Sequence, residues 1–166
     1  QVAYRETISE RAEFHTTLAV RKPVEKITPI RDAPEIFDFP RDVQPVLNVL
    51  CGDCHGYEKT ARGGPRDGRL ILTGDRGPIF SHGYYMLTIA RLFADGRNQP
   101  KSNYAPRTLG SSASRLLKLV DGSHYGAKAT PRQLALLRLW IETGAAYPGT
   151  YAALGCGMIG AYAENQ

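Results

Sequence analysis

Asp42-Val43-Gln44-Pro45-Val46-Leu47-Asn48-Val49-Leu50-Cys51-Gly52-Asp53-Cys54-His55 runs an apolar helical stripe directly into a C-x-x-C-H motif. Val43, Val46, Leu47 and Leu50 fall at i, i+3, i+4 and i+7, the spacing that lines one face of an α-helix. Asp42 is a good N-cap by residue type, and Pro45 then sits in the first turn, where its missing N–H is tolerated. The predicted helix spans Asp42 to Leu50 and delivers the chain to Cys51. C-x-x-C-H is the attachment signature of a c-type haem: Cys51 and Cys54 offer two thiols to the haem vinyl groups, and His55 offers an imidazole to the iron. A tether at both cysteines leaves His55 little freedom except to face the metal.

Two other uses of C-x-x-C fit less well. A structural zinc needs four nitrogen or sulfur ligands, usually with a second pair at similar spacing, and only Cys156 remains. A thioredoxin-like redox pair belongs beside a βαβ pattern, and no alternating strands and helices surround this motif. The expected cofactor is therefore one covalently attached haem c, with His55 as the proximal iron ligand.

At 166 residues and 42% apolar content, the chain suits one domain with extensions. No stretch approaches the ~18–20 apolar residues of a membrane span, so none is expected. The opening residues, Gln1-Val2-Ala3-Tyr4-Arg5-Glu6, lack a basic start followed by an apolar run. The chain is expected to begin after processing or inside a longer polypeptide. Haem c attachment needs reduced thiols and export-side machinery, which points to a periplasmic or equivalent extracytoplasmic compartment. The net charge of +5 is spread from Arg5 to Arg138 with no dense basic block and no nucleic-acid motif. Nucleic acid is not an expected partner; beside an ordinary solvated surface, the charge suits docking to an acidic redox protein.

The remaining pattern is mainly all-α, a small helical haem domain with long irregular loops. Residues 1–37 hold prolines at 23, 29 and 34, many charges and no sustained apolar period, and read as an extended N-terminal arm or linker. Residues 38–150 form the haem domain and residues 151–166 a C-terminal tail. After the motif, a glycine-rich loop holds one short predicted strand, Arg69 to Thr73. A second helix is expected from Tyr84 to Ala94, with Tyr85, Ile89, Leu92 and Phe93 inward and a stop at Asp95-Gly96. A third starts near Ser111 or Ser112, carries Leu116, Leu117, Leu119 and Val120, and stops at Asp121-Gly122. The last has the clearest boundaries: Thr130-Pro131-Arg132-Gln133 is a capping box with proline at N1, Leu134, Leu137 and Ile141 line one face, and Gly144 closes it. It is expected to cross the first helix. Trp140 on it and Tyr147 just beyond are candidates for packing against the haem.

The iron's sixth ligand is the open choice. Met86 sits in a helical pattern, where methionine is usually core filler. Met158 lies in a glycine-rich tail, His15 in the arm, and His82 in a loop before the second helix. His124 stands on Asp121-Gly122-Ser123-His124-Tyr125-Gly126, between the third and last helices, where small cytochromes c carry a distal ligand. His124 is the expected distal ligand, with His82 as runner-up. An imidazole there closes the iron and favours electron transfer over substrate chemistry.

The order Phe37-Asp38-Phe39-Pro40-Arg41-Asp42-Val43, C-x-x-C-H, Leu72-Thr73-Gly74-Asp75-Arg76, Gly110-Ser111-Ser112-Ala113-Ser114, Gly122-Ser123-His124-Tyr125-Gly126 and Leu139-Trp140-Ile141-Glu142-Thr143-Gly144-Ala145 resembles a planctomycete-type cytochrome c domain. More narrowly, it is similar to the C-terminal haem domain of the hydrazine synthase alpha subunit and its relatives, over about residues 30 to 160. The resemblance implies a cytochrome c-like fold and a bis-histidine haem with His124 in the distal role. It also implies redox protein partners, among them other haem subunits of a complex. Its closer relatives carry a further haem motif upstream, whereas these 166 residues hold one. The expected function is thus electron relay by a monohaem cytochrome c; the alternative is the haem-containing part of a hydrazine synthase-like enzyme acting on small nitrogen compounds.

Overall fold

Asp38 starts the part of the chain that carries the motif. Its carboxylate accepts from the backbone N–H of Arg41 at 3.2 Å and of Gly149 at 3.3 Å, while its own N–H donates to Asp42 Oδ2 at 2.8 Å. The turn that follows, Phe39–Val43, is a wide π-type turn, and helix α1, Gln44–Cys51, grows out of it. The structure, a computed structural model, describes residues 21–26, 28, 30, 32–94 and 103–149. The chain divides into two units, residues 1–32 and 33–166. Helix α1 belongs to the second.

Asp42 is not the N-cap of the first helix. It lies inside the wide turn, where its carboxylate reaches back to Asp38 and is held by the Arg41 guanidinium at 2.8 Å. Burial pushes the Asp42 carboxyl up, but the bonds from Arg41 and the Asp38 N–H outweigh it and keep the group below its ordinary range. The apolar stripe is as the spacing predicts: Val43, Val46 and Leu47 are buried and Leu50 packs against the core from its edge. Gln44 joins them inside, its Nε2 donating to Asn48 Oδ1 and to the Leu72 carbonyl, both at 2.8 Å.

Arg69 to Thr73 is not a strand. The segment follows a short 3-10 turn, Asp67–Arg69, and its backbone groups go to other elements: Leu72 N–H to the His55 carbonyl, the Leu72 carbonyl to Gln44, and the Thr73 carbonyl to Gly83 N–H. Among the described residues there are only isolated bridges, at Thr60/Gly63, Arg76/Ser81 and Asp121/Lys128.

Helix α2 is His82–Ile89, shorter than predicted and turned the other way. Tyr84 and Leu87 are buried, while Tyr85 and Ile89 are exposed. Tyr84 decides the rotation: its hydroxyl donates to the Ala145 carbonyl at 2.9 Å and its ring sits among Phe39, Phe80, Phe93 and Tyr147. Leu92 and Phe93 are buried as expected, but from the turn after the helix. The expected stop at Asp95-Gly96 lies outside the described residues.

Helix α3, Arg115–Leu119, is capped by Ser114 rather than by Ser111 or Ser112. Ser114 is buried, accepts from Leu117 N–H and donates to the Leu92 carbonyl at 3.0 Å, so the cap also ties α3 to the turn that follows α2. Helix α4, Pro131–Glu142, has its capping box complete: Thr130 Oγ1 accepts from Gln133 N–H at 3.2 Å, and Gln133 Oε1 accepts from Thr130 N–H at 2.9 Å. Thr130→Ala should cost about 1 kcal/mol. A urea midpoint that falls with an unchanged slope checks this. Helix α4 packs on α3 and on the Phe39–Val43 turn that leads into α1, and its Leu137, Trp140 and Ile141 share one core with Val46 and Leu47.

The molecule is thus mainly helical with long loops. The loops are organised by an aromatic cluster of Phe39, Phe80, Tyr84, Phe93, Trp140 and Tyr147. No helix among the described residues is long and apolar enough to cross a membrane.

Candidate functional site

The last turn of α1 continues into the motif as a tight coil. Gly52 N–H bonds back to the Asn48 carbonyl, and Cys54 and His55 N–H both bond to the Cys51 carbonyl, at 3.2 and 2.9 Å. A Cβ on Gly52, the first of the two residues between the cysteines, would stand 2.6 Å from the Asn48 carbonyl oxygen, so a side chain there would make the coil shift. The far side of the motif is fixed by the loop: Leu72 N–H bonds to the His55 carbonyl at 2.8 Å and Asp67 N–H to the Cys54 carbonyl at 3.0 Å. His55 is held by its backbone on both sides.

Cys51 and Cys54 are free thiols. Burial, with a smaller contribution from the charge of Cys54, pushes the Cys51 thiol up to about 11. At neutral pH it is therefore protonated and half-buried against the core.

The second histidine comes from the loop between α3 and α4. That loop is closed by the bridge between Asp121 and Lys128, by Ser123 N–H to Asp121 Oδ1 at 2.7 Å, and by Ala127 N–H to the His124 carbonyl at 2.9 Å. The result brings His124 over the motif. The rings of His55 and His124 lie 6.2 Å apart, centre to centre, with planes within 10° of parallel. Both rings line a cavity of about 450 Å³, together with Leu50, Cys51, Cys54, Arg62, Asp67, Gly68, Tyr125 and Ala127.

Two imidazoles sharing one metal ion at bonds of about 2.0 Å have ring centres roughly 6 Å apart. The observed separation leaves that room, and the cavity volume is of the class that holds organic cofactors. Leu50 and Ala127 give it apolar wall, both thiols reach it, and Arg62, Asp67 and Tyr125 form an exposed polar rim. The residues present fit a covalently held haem. His55 Nδ1 is buried without a hydrogen-bond partner among the described residues, so the ring is oriented by its backbone and not by a bonded neighbour.

His82 stands elsewhere. Its Nδ1 is 2.6 Å from the Tyr57 hydroxyl, and it does not line the cavity. Met86 packs against the core as filler. Trp140 and Tyr147, read as candidates for packing on the haem, lie in the aromatic cluster and do not line the cavity. Trp140 is fully buried with its Nε1 donating to the Ala146 carbonyl, and the Tyr147 hydroxyl accepts from Ser81 N–H. Each has its polar atom hydrogen-bonded to a backbone group. His15, Cys156 and Met158 lie outside the described residues.

The sequence did not single out Arg62, Asp67, Gly68, Tyr125 or Ala127. The glycine pair at 63 and 64 was the available signal near the first three: it marks a turn, without saying where the turn folds. Comparison with models of protein families, with curated proteins and with solved structures finds no match to this chain.

Proposed function

We propose that this chain is a monohaem c-type cytochrome, a domain or subunit that relays single electrons between redox proteins of a larger complex, with His55 and His124 as the two axial ligands. The observation that carries the reading is the pair of near-parallel imidazoles, 6.2 Å apart, across a cavity whose wall includes both thiols of C-x-x-C-H. When bound, haem c supplies a one-electron iron couple. The chain's own residues do the rest. Cys51 and Cys54 hold the group, Leu50 and Ala127 keep water from its faces, and two histidines leave no vacant position for a substrate. The exposed rim at Arg62, Asp67 and Tyr125 gives a partner access to one edge.

An extracytoplasmic location, acidic redox partners and a cytochrome c-like fold belong to the same reading. The charge of +5 supports the partner class, since opposite charge speeds encounter between transient partners. The test is the chain expressed with an export-side haem c attachment system. The mass of the product should be that of the polypeptide plus one haem, and the colour should stay with the protein through acid–acetone extraction and denaturing electrophoresis. Colour that leaves with the solvent, or the mass of the bare chain, rejects the reading.

A further inference from the structure

We propose that the Asp67 carboxylate, through the Gly63–Gly64 turn it holds, is the device that positions Cys54 for the second covalent attachment; the inference rests on the haem reading above. The two cysteines are not held alike. Cys51 belongs to the last turn of α1 and packs against the core, so its direction is set by the helix. Cys54 lies beyond the helix, and its thiol has one weak bond, to the Arg62 carbonyl at 3.3 Å.

The loop from Thr60 to Asp67 folds over that sulfur. Thr60 Oγ1 donates to the Asp53 carbonyl at 2.9 Å, Thr60 N–H to the Gly63 carbonyl at 2.7 Å, and Arg66 N–H to the Gly56 carbonyl at 2.9 Å. At the crest, Gly64 N–H donates to Asp67 Oδ2 at 2.7 Å. This is the one side-chain hydrogen bond that Asp67 makes among the described residues, and no ion pair there competes for its carboxylate. Gly63 has φ +152°, and a Cβ on it would run into Asp67 Oδ2 and come within 3.0 Å of Cys54 Sγ. The Asp67 carboxylate and the Cys54 sulfur both border the place a Gly63 side chain would take, and leave no space for one.

Attachment makes this arrangement matter. The thiol adds across a vinyl C=C bond: a C–S bond forms, the S–H proton ends on the neighbouring vinyl carbon, and no electron is gained or lost. The hydrogen bond to the Arg62 carbonyl disappears with the S–H. Until the C–S bond forms, the thiol's direction rests on that one weak bond and on the turn packed against it, which Asp67 holds at Gly64 and Thr60 holds at Gly63.

Asp67 is a positioning residue, and its test reads which thioether forms. Asp67→Ala, Asp67→Asn and Gly63→Ala chains are matured with the same attachment system, denatured, alkylated with iodoacetamide and mapped by mass. Wild type should carry no alkylated Cys51 or Cys54. Asp67→Ala should carry haem at Cys51 alone in most chains, with Cys54 alkylated and the reduced pyridine haemochrome band moved to longer wavelength by the unreacted vinyl group. Asp67→Asn keeps an acceptor oxygen and should restore both bonds; Gly63→Ala should reproduce the defect by crowding. Should Asp67→Ala fail to accumulate, Asp67→Ser carries the same reading with partial loss at Cys54. Doubly attached haem in the Asp67 and Gly63 variants overturns the inference alone, whereas a wild-type chain without covalent haem overturns the haem reading and this inference with it.

Discussion

His124→Ala should turn the oxidised holoprotein from a low-spin to a high-spin spectrum and let the reduced form bind carbon monoxide, while His82→Ala leaves both spectra nearly unchanged. The contrast follows from geometry. His124 faces His55 across the cavity, and His82 is bonded to Tyr57 away from it. On the proposed ligation, removing the first imidazole leaves His55 as the one histidine among the described residues of the cavity wall. His124→Met replaces an imidazole by a thioether, which favours the reduced iron, so the potential should rise and a charge-transfer band of the iron–sulfur bond should appear in the red. Visible absorption, carbon monoxide titration and potentiometry of three variants are sufficient. A high-spin His82 variant beside a low-spin His124 variant would reverse the assignment, and a wild type that is already high-spin and binds carbon monoxide would favour the enzyme alternative.

Local rules carried the reading wherever the determinants are near in sequence. The capping box at Thr130 and the stripe from Val43 to Leu50 depend on residues within two turns, and both lie where the pattern put them. The π-type turn escaped because Asp38 and Asp42 are both good caps; what separates them is the return of residue 149 to Asp38, a contact over 111 positions. Helix α2 has the weakest pattern of the longer helices, with apolar residues on every side. Its inward face was set by one distant bond, from Tyr84 to the Ala145 carbonyl, so propensity placed the element and tertiary contact chose its rotation.

The site divides the same way. Cys51, Cys54 and His55 stand out in the sequence because the proposed haem attachment needs them at that fixed spacing. His124 was reachable by its place on the loop before the capping box of the last helix, and the structure brings it to the cavity wall. The rim was not, since Arg62, Asp67 and Tyr125 are exposed polar residues on loops whose course is decided by bonds such as Leu72 N–H to the His55 carbonyl. Trp140 and Tyr147 stand apart from the cavity wall: large aromatic residues near the end of α4 suit a haem wall by type, and both lie in the buried aromatic cluster.

Trp140→Ala should therefore cost roughly 3–5 kcal/mol, a large fraction of what holds one small domain together. The indole is fully buried, with the rings of Phe39 and Phe93 both centred 5.4 Å away and Tyr84 at 6.4 Å. Its Nε1–H bonds to the Ala146 carbonyl at 2.9 Å, fixing the chain where it leaves α4 and turns back to pair Tyr147 with Phe39. Truncation opens a cavity between α4, α2 and the Phe39–Val43 turn and frees that return segment, so two sources of loss add. Trp140→Phe refills most of the volume without the N–H and should cost clearly less, which separates packing from the hydrogen bond. Urea unfolding of the holoprotein gives both values. Because Trp140 does not line the cavity, the spectrum of the folded Trp140→Phe protein should stay that of wild type. A melting temperature unchanged by Trp140→Ala would mean that the aromatic cluster does not hold the loops, and an altered spectrum in Trp140→Phe would return the indole to the haem wall.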